Sequence, residues 1–305
     1  MSTMGPGEAN GVGPTVIADT DAPPTADPGT SRGAVPAPRL RKQRGGPVAV
    51  WTVRIAFLVI VVGLWQLLAA QGTINPAFSG EPSSIWSSFV GLFESPTLGS
   101  DVWTTMEETL AGFAISVVLG VLVAYWMVRL PFLERTFTPL ATAANAVPRI
   151  ALMPVFIIWF GLGPASKIFN VVSFVFFLVL LNSLSAFEQV QSDRDLLLLA
   201  RTLGFTEQQR MWKFVLPGAV PVLFATMELA LIYSFTGAVI GEMLGGYNGL
   251  GVTIETDANA LNTNGYFAVV LLVVIITLLL VQILRFIRRR LLRWSHFETR
   301  DSQTI

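Results

Sequence analysis

Cysteine is absent from the 305 residues, and histidine occurs once, at His296. Disulfides, thiolate chemistry and Cys-ligated metals are thereby excluded. A single imidazole assembles no His-based metal site within one chain, so no metal site and no catalytic cluster is expected. Charge is scarce as well: Asp, Glu, Lys and Arg make up 13% of the chain, where a soluble domain carries about 25%. What fills the chain instead is apolar, 52% of residues with a mean hydropathy of +0.61, the composition of a polytopic membrane protein.

Residues 1–47 are rich in Gly, Pro, Ala and Thr without apolar periodicity. Such a segment buries too little to offset its ordering entropy, so a disordered cytoplasmic tail is expected there. Six apolar runs follow, near 48–70, 109–130, 138–160, 165–187, 218–241 and 266–288. Each has about the 20 residues that cross a bilayer as a helix. The third is interrupted by Pro148 and Pro154, which a membrane tolerates where neighbouring protein satisfies the freed backbone groups. The transmembrane domain is thus expected over 48–293, with a cytoplasmic tail at 294–305.

Lys and Arg alternate by loop. Arg39, Arg41, Lys42 and Arg44 precede the first run, and Arg129 and Arg135 follow the second. Arg194, Arg201, Arg210 and Lys213 lie between the fourth and fifth, and Arg285, Arg288, Arg289, Arg290 and Arg293 end the sixth. Residues 71–108 and 242–265 contain neither residue type, and 161–164 is followed only by Lys167. Because cytoplasmic loops hold the excess of cations, both termini and the loop at 193–217 are expected in the cytoplasm.

That central loop is too charged to cross a bilayer and too patterned for a linker. Asp193 or Ser192 can cap a first helix, and Gly204 stands where it would end, able to take the left-handed conformation. Thr206 with Gln209 forms a capping box for a second short helix, and Pro217 and Pro221 mark the boundary of the next run. Two short helices joined at a glycine make a docking surface for a soluble partner.

The loop resembles the EAA loop of ABC-importer permeases at Ala200, Gly204, Leu216 and Pro217, while its opening glutamate and its isoleucine are replaced. Three further blocks are similar to the nitrate/sulfonate/taurine branch: Thr109-Leu-Ala-Gly-Phe113; Pro148 to Pro154, continued through Trp159-Phe-Gly-Leu-Gly163 to Ser166-Lys167; and Gly237 to Glu242, continued to Gly249-Leu-Gly251. The resemblance implies an all-α, six-helix type I importer permease working by alternating access. It implies a cytoplasmic coupling helix around Leu199, Ala200, Arg201, Gly204, Phe205, Thr206, Gln209, Phe214, Leu216 and Pro217. The implied partners are ABC ATPase subunits, an external substrate-binding protein, a second permease copy and membrane lipid, with no nucleic acid. ATP and Mg2+ would sit on the ATPase, since this chain has no nucleotide loop: in 161–167, Ser166 stands where a glycine is needed. The implied substrate is a small solute of sulfonate, taurine or nitrate type.

Candidate path residues are Pro148, Arg149, Pro154, Glu228 and Glu242, because charges and broken helices inside a span usually face a watery route. Arg149 reads either as a cation for an anionic substrate or as the partner of an acid such as Glu228. Glu228 reads equally as an interfacial carboxylate bonded to a neighbouring helix, and Glu242 as a tie for the glycine-rich turn after it. An ion-gradient-driven transporter is the alternative function. It predicts several intramembrane acids and an internal repeat, of which only Glu228 is evident.

Overall fold

The computed structural model describes residues 47–292, so the two expected tails lie outside the described residues apart from Pro47. The chain divides between Val53 and Arg54 into two units. Of the first only the opening of one helix is described, and the packing below belongs to the second.

All regular structure among the described residues is helical. In chain order come α1 (Pro47–Ala70), α2 (Pro76–Ser79), α3 (Pro82–Leu92), α4 (Leu98–Arg129), α5 (Pro131–Asn145) and α6 (Met153–Phe160). Then follow α7 (Pro164–Gln191), α8 (Arg194–Thr202), α9 (Glu207–Arg210), α10 (Leu216–Gly245), α11 (Leu250–Asn259) and α12 (Thr263–Leu291). Among the described residues, five helices are long and apolar enough to cross a membrane, and α5 with α6 makes a sixth crossing if the bent pair is one span. Six spans were expected, and the third is the bent one. Prolines open α3, α5 and α7, where the missing N–H has no intrahelical partner to lose.

The core is the bundle of α4, α7 and α10. Within hydrocarbon no hydrophobic drive pulls helices together, so close packing of small residues does the work. Gly112 and Gly120 of α4 let Val171 and Val179 of α7 approach so closely that a Cβ at either glycine would collide with the valine. Ala230 and Ala238 of α10 close the same layer and are fully buried. One end of the bundle, the α8 end, is filled by Met127, Phe187, Met211 and Val215. The α11 end is filled by Phe235, Leu250, Ile254 and Val269.

Three expectations need correction. The second span begins at Leu98 rather than near 109, so residues 71–108 are not one loop. Its first turns carry Asp101, Thr105 and Glu108, which lower the hydropathy; Asp101 and Thr105 are hydrogen-bonded inside the protein, and Glu108 is paired with Lys167. The third span breaks between Asn145 and Arg149 and turns by 89°. Pro154 does not interrupt it but sits in the first turn of α6. Nor do Pro217 and Pro221 end a helix. The chain runs helical from Glu207 to Gly245 through a wide π-turn at Met211–Val215, where the Leu216 N–H donates to Met211 O just before Pro217.

A strap at the α11 end ties α1 to α3. Gln66 Nε2 donates to Glu81 Oε1 (2.7 Å) and the Ser83 N–H donates to Gln66 Oε1 (3.0 Å). Hydrogen bonds from Gln66, Ser83 and Ser84 hold the Glu81 carboxyl below the usual carboxylate range. A carboxylate whose folded pKa is depressed stabilises the fold above its unfolded pKa and loses that contribution as pH falls through the folded value. The unfolding midpoint of Glu81→Gln in detergent is therefore expected below that of the parent at neutral pH. The two should converge once pH drops under the ordinary carboxylate range, and a constant difference across that range would contradict the assignment.

Candidate functional site

The α8 end presents a stiff helical corner. Asp193 Oδ1 accepts from the N–H groups of Asp195 (3.0 Å) and Leu196 (3.3 Å), capping α8. The helix stops in a Schellman turn: Phe205 N–H donates to Ala200 O (3.0 Å) and Gly204 N–H to Arg201 O (3.1 Å), with Gly204 at φ +67°. The capping box also forms, with Thr206 N–H donating to Gln209 Oε1 (3.0 Å) and Gln209 N–H to Thr206 Oγ1 (3.3 Å). Phe205 packs on Phe214 at 5.4 Å between ring centres, and Lys213 Nζ lies 4.9 Å over the Phe205 ring. The structure thus brings Ala200, Phe205 and Phe214 together inside the corner, while Leu199, Arg201, Gly204, Thr206 and Gln209 stay on its surface. Leu216 and Pro217, both half-buried, continue into α10. Leu198, Leu199 and Leu203 form an exposed apolar face on this polar segment.

The intramembrane candidates do not converge. Glu228 of α10 receives Arg285 Nε (2.8 Å) and Arg288 Nη1 (2.9 Å) from α12 near the α8 end. Arg149 therefore does not pair with Glu228, because two cations on the adjacent helix already hold that carboxylate. Arg149 instead spans the break of the third crossing. Its Nε donates to Ser173 O (2.7 Å), and its Nη2 donates to Asn145 O (3.0 Å) and to Asn145 Oδ1. Pro148 and Pro154 flank it on either side of the bend, both exposed.

Glu242 lies at the α11 end, fully buried. Thr105 Oγ1 donates to its Oε1 (2.7 Å) and Gly251 N–H to its Oε2 (2.7 Å). Thr105 Oγ1 also accepts the Leu250 N–H (3.0 Å), and Asp101 Oδ1 accepts that of Gly249 (3.1 Å). Three successive N–H groups at the start of α11 are thus gripped by α4 and α10. Gly249 adopts φ +120°, and a Cβ there would strike the Glu242 carboxylate, so glycine is required on both counts.

Sequence reasoning missed the neighbouring ion pair. Lys167 Nζ of α7 lies 3.2 Å from Glu108 Oε1 of α4, with 5% and 1% of the two side chains exposed. Nothing local signals it: Lys167 reads as a loop cation and Glu108 as the edge of a polar stretch. Lys and Arg are also unevenly spread. Arg129, Arg194, Arg201 and Arg210 gather near the α8 end, among acids that include Glu134, Asp193 and Glu207, whereas the α11 end carries Glu81, Glu94, Asp101, Glu107, Glu255 and Asp257 with Lys167 buried among the helices.

A bundle of long apolar helices around a bent crossing, with a capped helical corner at one end, is the architecture of a polytopic membrane protein. Residues 116–293 match the family described as binding-protein-dependent transport system inner membrane component. The chain belongs to that family and is the membrane-spanning permease subunit of an ATP-driven importer; the ion-gradient alternative is not favoured. Taurine transport system permease protein TauC of Escherichia coli (strain K12) is 26% identical over 248 residues, covering 80% of this chain and 90% of that one. Riboflavin transport system permease protein RibX of Chloroflexus aurantiacus is 29% identical over 241 residues, covering 78% and 88%. A solved structure of the MetNI methionine ABC transporter in an inward-facing form shares the fold. Its TM-score is 0.54 at 23% identity, over 65% of this chain and 95% of that one.

Proposed function

We propose that the corner at residues 193–217 seats in a partner ATPase and drives alternating access in a permease homodimer that takes solute from an external binding protein. ATP and Mg2+ belong to the ATPase. The α8 end faces the cytoplasm and the α11 end faces outward, which the gathering of Lys and Arg at the α8 end supports. Leu199, Ala200, Arg201, Gly204, Phe205, Thr206, Gln209, Phe214, Leu216 and Pro217 form the coupling unit. Pro148, Arg149 and Pro154 line the path at the bend, while Glu228 and Glu242 hold helices together. The solute is a small sulfonate-, taurine- or nitrate-type molecule.

The observation that carries this reading is the exposed face of Leu198, Leu199 and Leu203 on a segment stiffened by two caps and a Schellman turn. An exposed apolar patch with a polar surround marks a protein interface. The corner also continues without interruption into the 39 helical residues from Glu207 to Gly245, a rod of about 58 Å that carries a push at one end to the other. Replacing Leu199 and Leu203 together by glutamate is expected to strip the ATPase from the purified complex while leaving membrane insertion and amount unchanged. Undiminished co-purification of the ATPase would overturn the docking assignment.

A further inference from the structure

Leu261 stands where a helix end calls for glycine. Helix α11 closes in a Schellman turn, with Leu261 N–H donating to Ala258 O (3.1 Å) and Asn262 N–H to Asp257 O (2.9 Å). The pivot of such a turn takes the left-handed conformation, and Leu261 does so at φ +56°. The matching turn at the end of α8 has Gly204 at its pivot. Among the described residues Leu261 is the only non-glycine at positive φ, a disfavoured state for a bulky side chain. Burial of that side chain would offset the cost, but 76% of Leu261 is exposed.

The turn is also braced. Asn262 Nδ2 donates to Asp257 Oδ1 (2.8 Å), and Asn262 Oδ1 accepts the Gly265 N–H (3.2 Å). Thr263 Oγ1 donates to Ala77 O (2.5 Å) and the Glu81 N–H donates to Asn264 Oδ1 (3.0 Å), which fixes α2 against the start of α12. Phe78 of α2, 77% exposed, therefore shares with Leu261 the lining of one hollow of about 210 Å3, together with Asp257, Tyr266 and Phe267. Leu261 is the sole large apolar residue in 255–265, and Phe78 belongs to a four-residue helix, so neither lies on a span that lipid coats. Lipid accepts an apolar side chain anywhere and needs no strained backbone to aim it. Strain held in place by its surroundings is instead typical of ligand clamps.

The occupant follows from charge. No Lys or Arg occurs between Arg54 and Arg129 or between Lys213 and Arg285, stretches that include α2, α3, α11 and most of α12. Lys167, enclosed with Glu108, presents no cation at the surface. Asp257 stands in the wall of the hollow, and Glu255 lies three residues before Ala258, which also lines it. Such a rim repels acidic surfaces and anionic lipid headgroups and favours a cationic partner.

Resting on the permease reading, we propose that Leu261 and Phe78 are the apolar anchors on which the external binding protein docks. The docking face of that protein is accordingly an apolar recess ringed by Lys or Arg.

The purified permease–ATPase complex is tested in detergent for its affinity for the transporter's binding protein, and in vesicles for ATP hydrolysis stimulated by that protein. Leu261→Gly removes the anchor and relieves the turn, so its unfolding midpoint is expected at or above the parent's. Its Kd for the binding protein should nevertheless rise at least roughly tenfold, the loss of a central anchor. Leu261→Asn, which tolerates this φ, should behave alike, and Phe78→Ser tests the second anchor on an ordinary helical backbone. Glu255→Lys is expected to weaken binding about threefold, and added salt should weaken the parent's binding more than that variant's.

An unchanged Kd in Leu261→Asn, with the parent bound and stimulated, overturns the proposal. So does stimulation lost in vesicles while affinity in detergent is kept, since the anchors would then rest in lipid. A midpoint of Leu261→Gly well below the parent's would show the leucine serving the fold, and parent binding indifferent to salt would remove the basic rim; either overturns it. Failure of the binding protein to bind or stimulate the parent overturns the permease reading itself, and this proposal with it.

Discussion

Lys167→Met is expected to destabilise the folded bundle by about 3–5 kcal/mol, the cost of leaving a buried carboxylate without its counter-ion. Few side chains are as enclosed as this pair: Lys167 and Glu108 are sealed between α7 and α4, and Glu108 Oε2 has no hydrogen-bond partner to fall back on. The charge left behind would also sit near the Glu242 carboxylate, whose repulsion Lys167 now offsets. Removing both charges is a different matter. With Glu108→Leu added, desolvation of the carboxylate disappears along with the pair, and such apolar replacements are commonly neutral or stabilising. The double variant should therefore regain most of the lost stability, and the coupling energy from the cycle should be large and of opposite sign to the single loss. Unfolding of the detergent-solubilised protein by denaturant measures this. A single variant within about 1 kcal/mol of the parent would mean that the pair is solvated in the membrane, and the sealed arrangement would be wrong.

That pair also shows where reading the chain stops. The corner at 193–217 was legible because its determinants are local. A carboxylate before a helix, a glycine after it and a Thr with a Gln three positions on each act within one turn, and all three geometries form as expected. Five crossings, and the bent pair that makes a sixth if it is one span, were legible for the same kind of reason, since apolar length depends on no distant partner. What lay beyond reach were contacts between residues far apart in the chain. Asp101, Thr105 and Glu108 looked like a loop because their polarity ends an apolar run. They are in fact helical turns whose polar groups meet Gly249, Glu242 and Lys167. The proposed Arg149–Glu228 partnership failed on the same ground: Arg285 and Arg288 lie one helical turn apart on α12 and both reach the carboxylate. Composition names candidate charges in a membrane, and only packing decides which of them meet.

Gly204→Asp is expected to abolish uptake by the complete transporter while leaving the permease folded and inserted, and the structure separates the two ways this could arise. Gly204 sits at φ +67°, so any side chain there bears a backbone cost, about 1–2 kcal/mol for an ordinary residue and less for Asn or Asp, which visit this region readily. A Cβ at this position meets nothing within 4 Å. Aspartate should therefore leave the Schellman turn in place and the corner intact, and its damage must come from a charge and side chain thrust at whatever the corner docks against. Valine does the reverse: it adds no charge, but β-branching makes the left-handed conformation a true outlier, and the turn between α8 and α9 should open. Limited proteolysis at 193–217 distinguishes them, with cleavage enhanced in Gly204→Val and unchanged in Gly204→Asp, although both lose transport. Asparagine, neutral and tolerant of this φ, should retain most of it. If Gly204→Asp carries solute as fast as the parent, the surface around Gly204 touches no moving partner, and the coupling assignment for residues 193–217 fails.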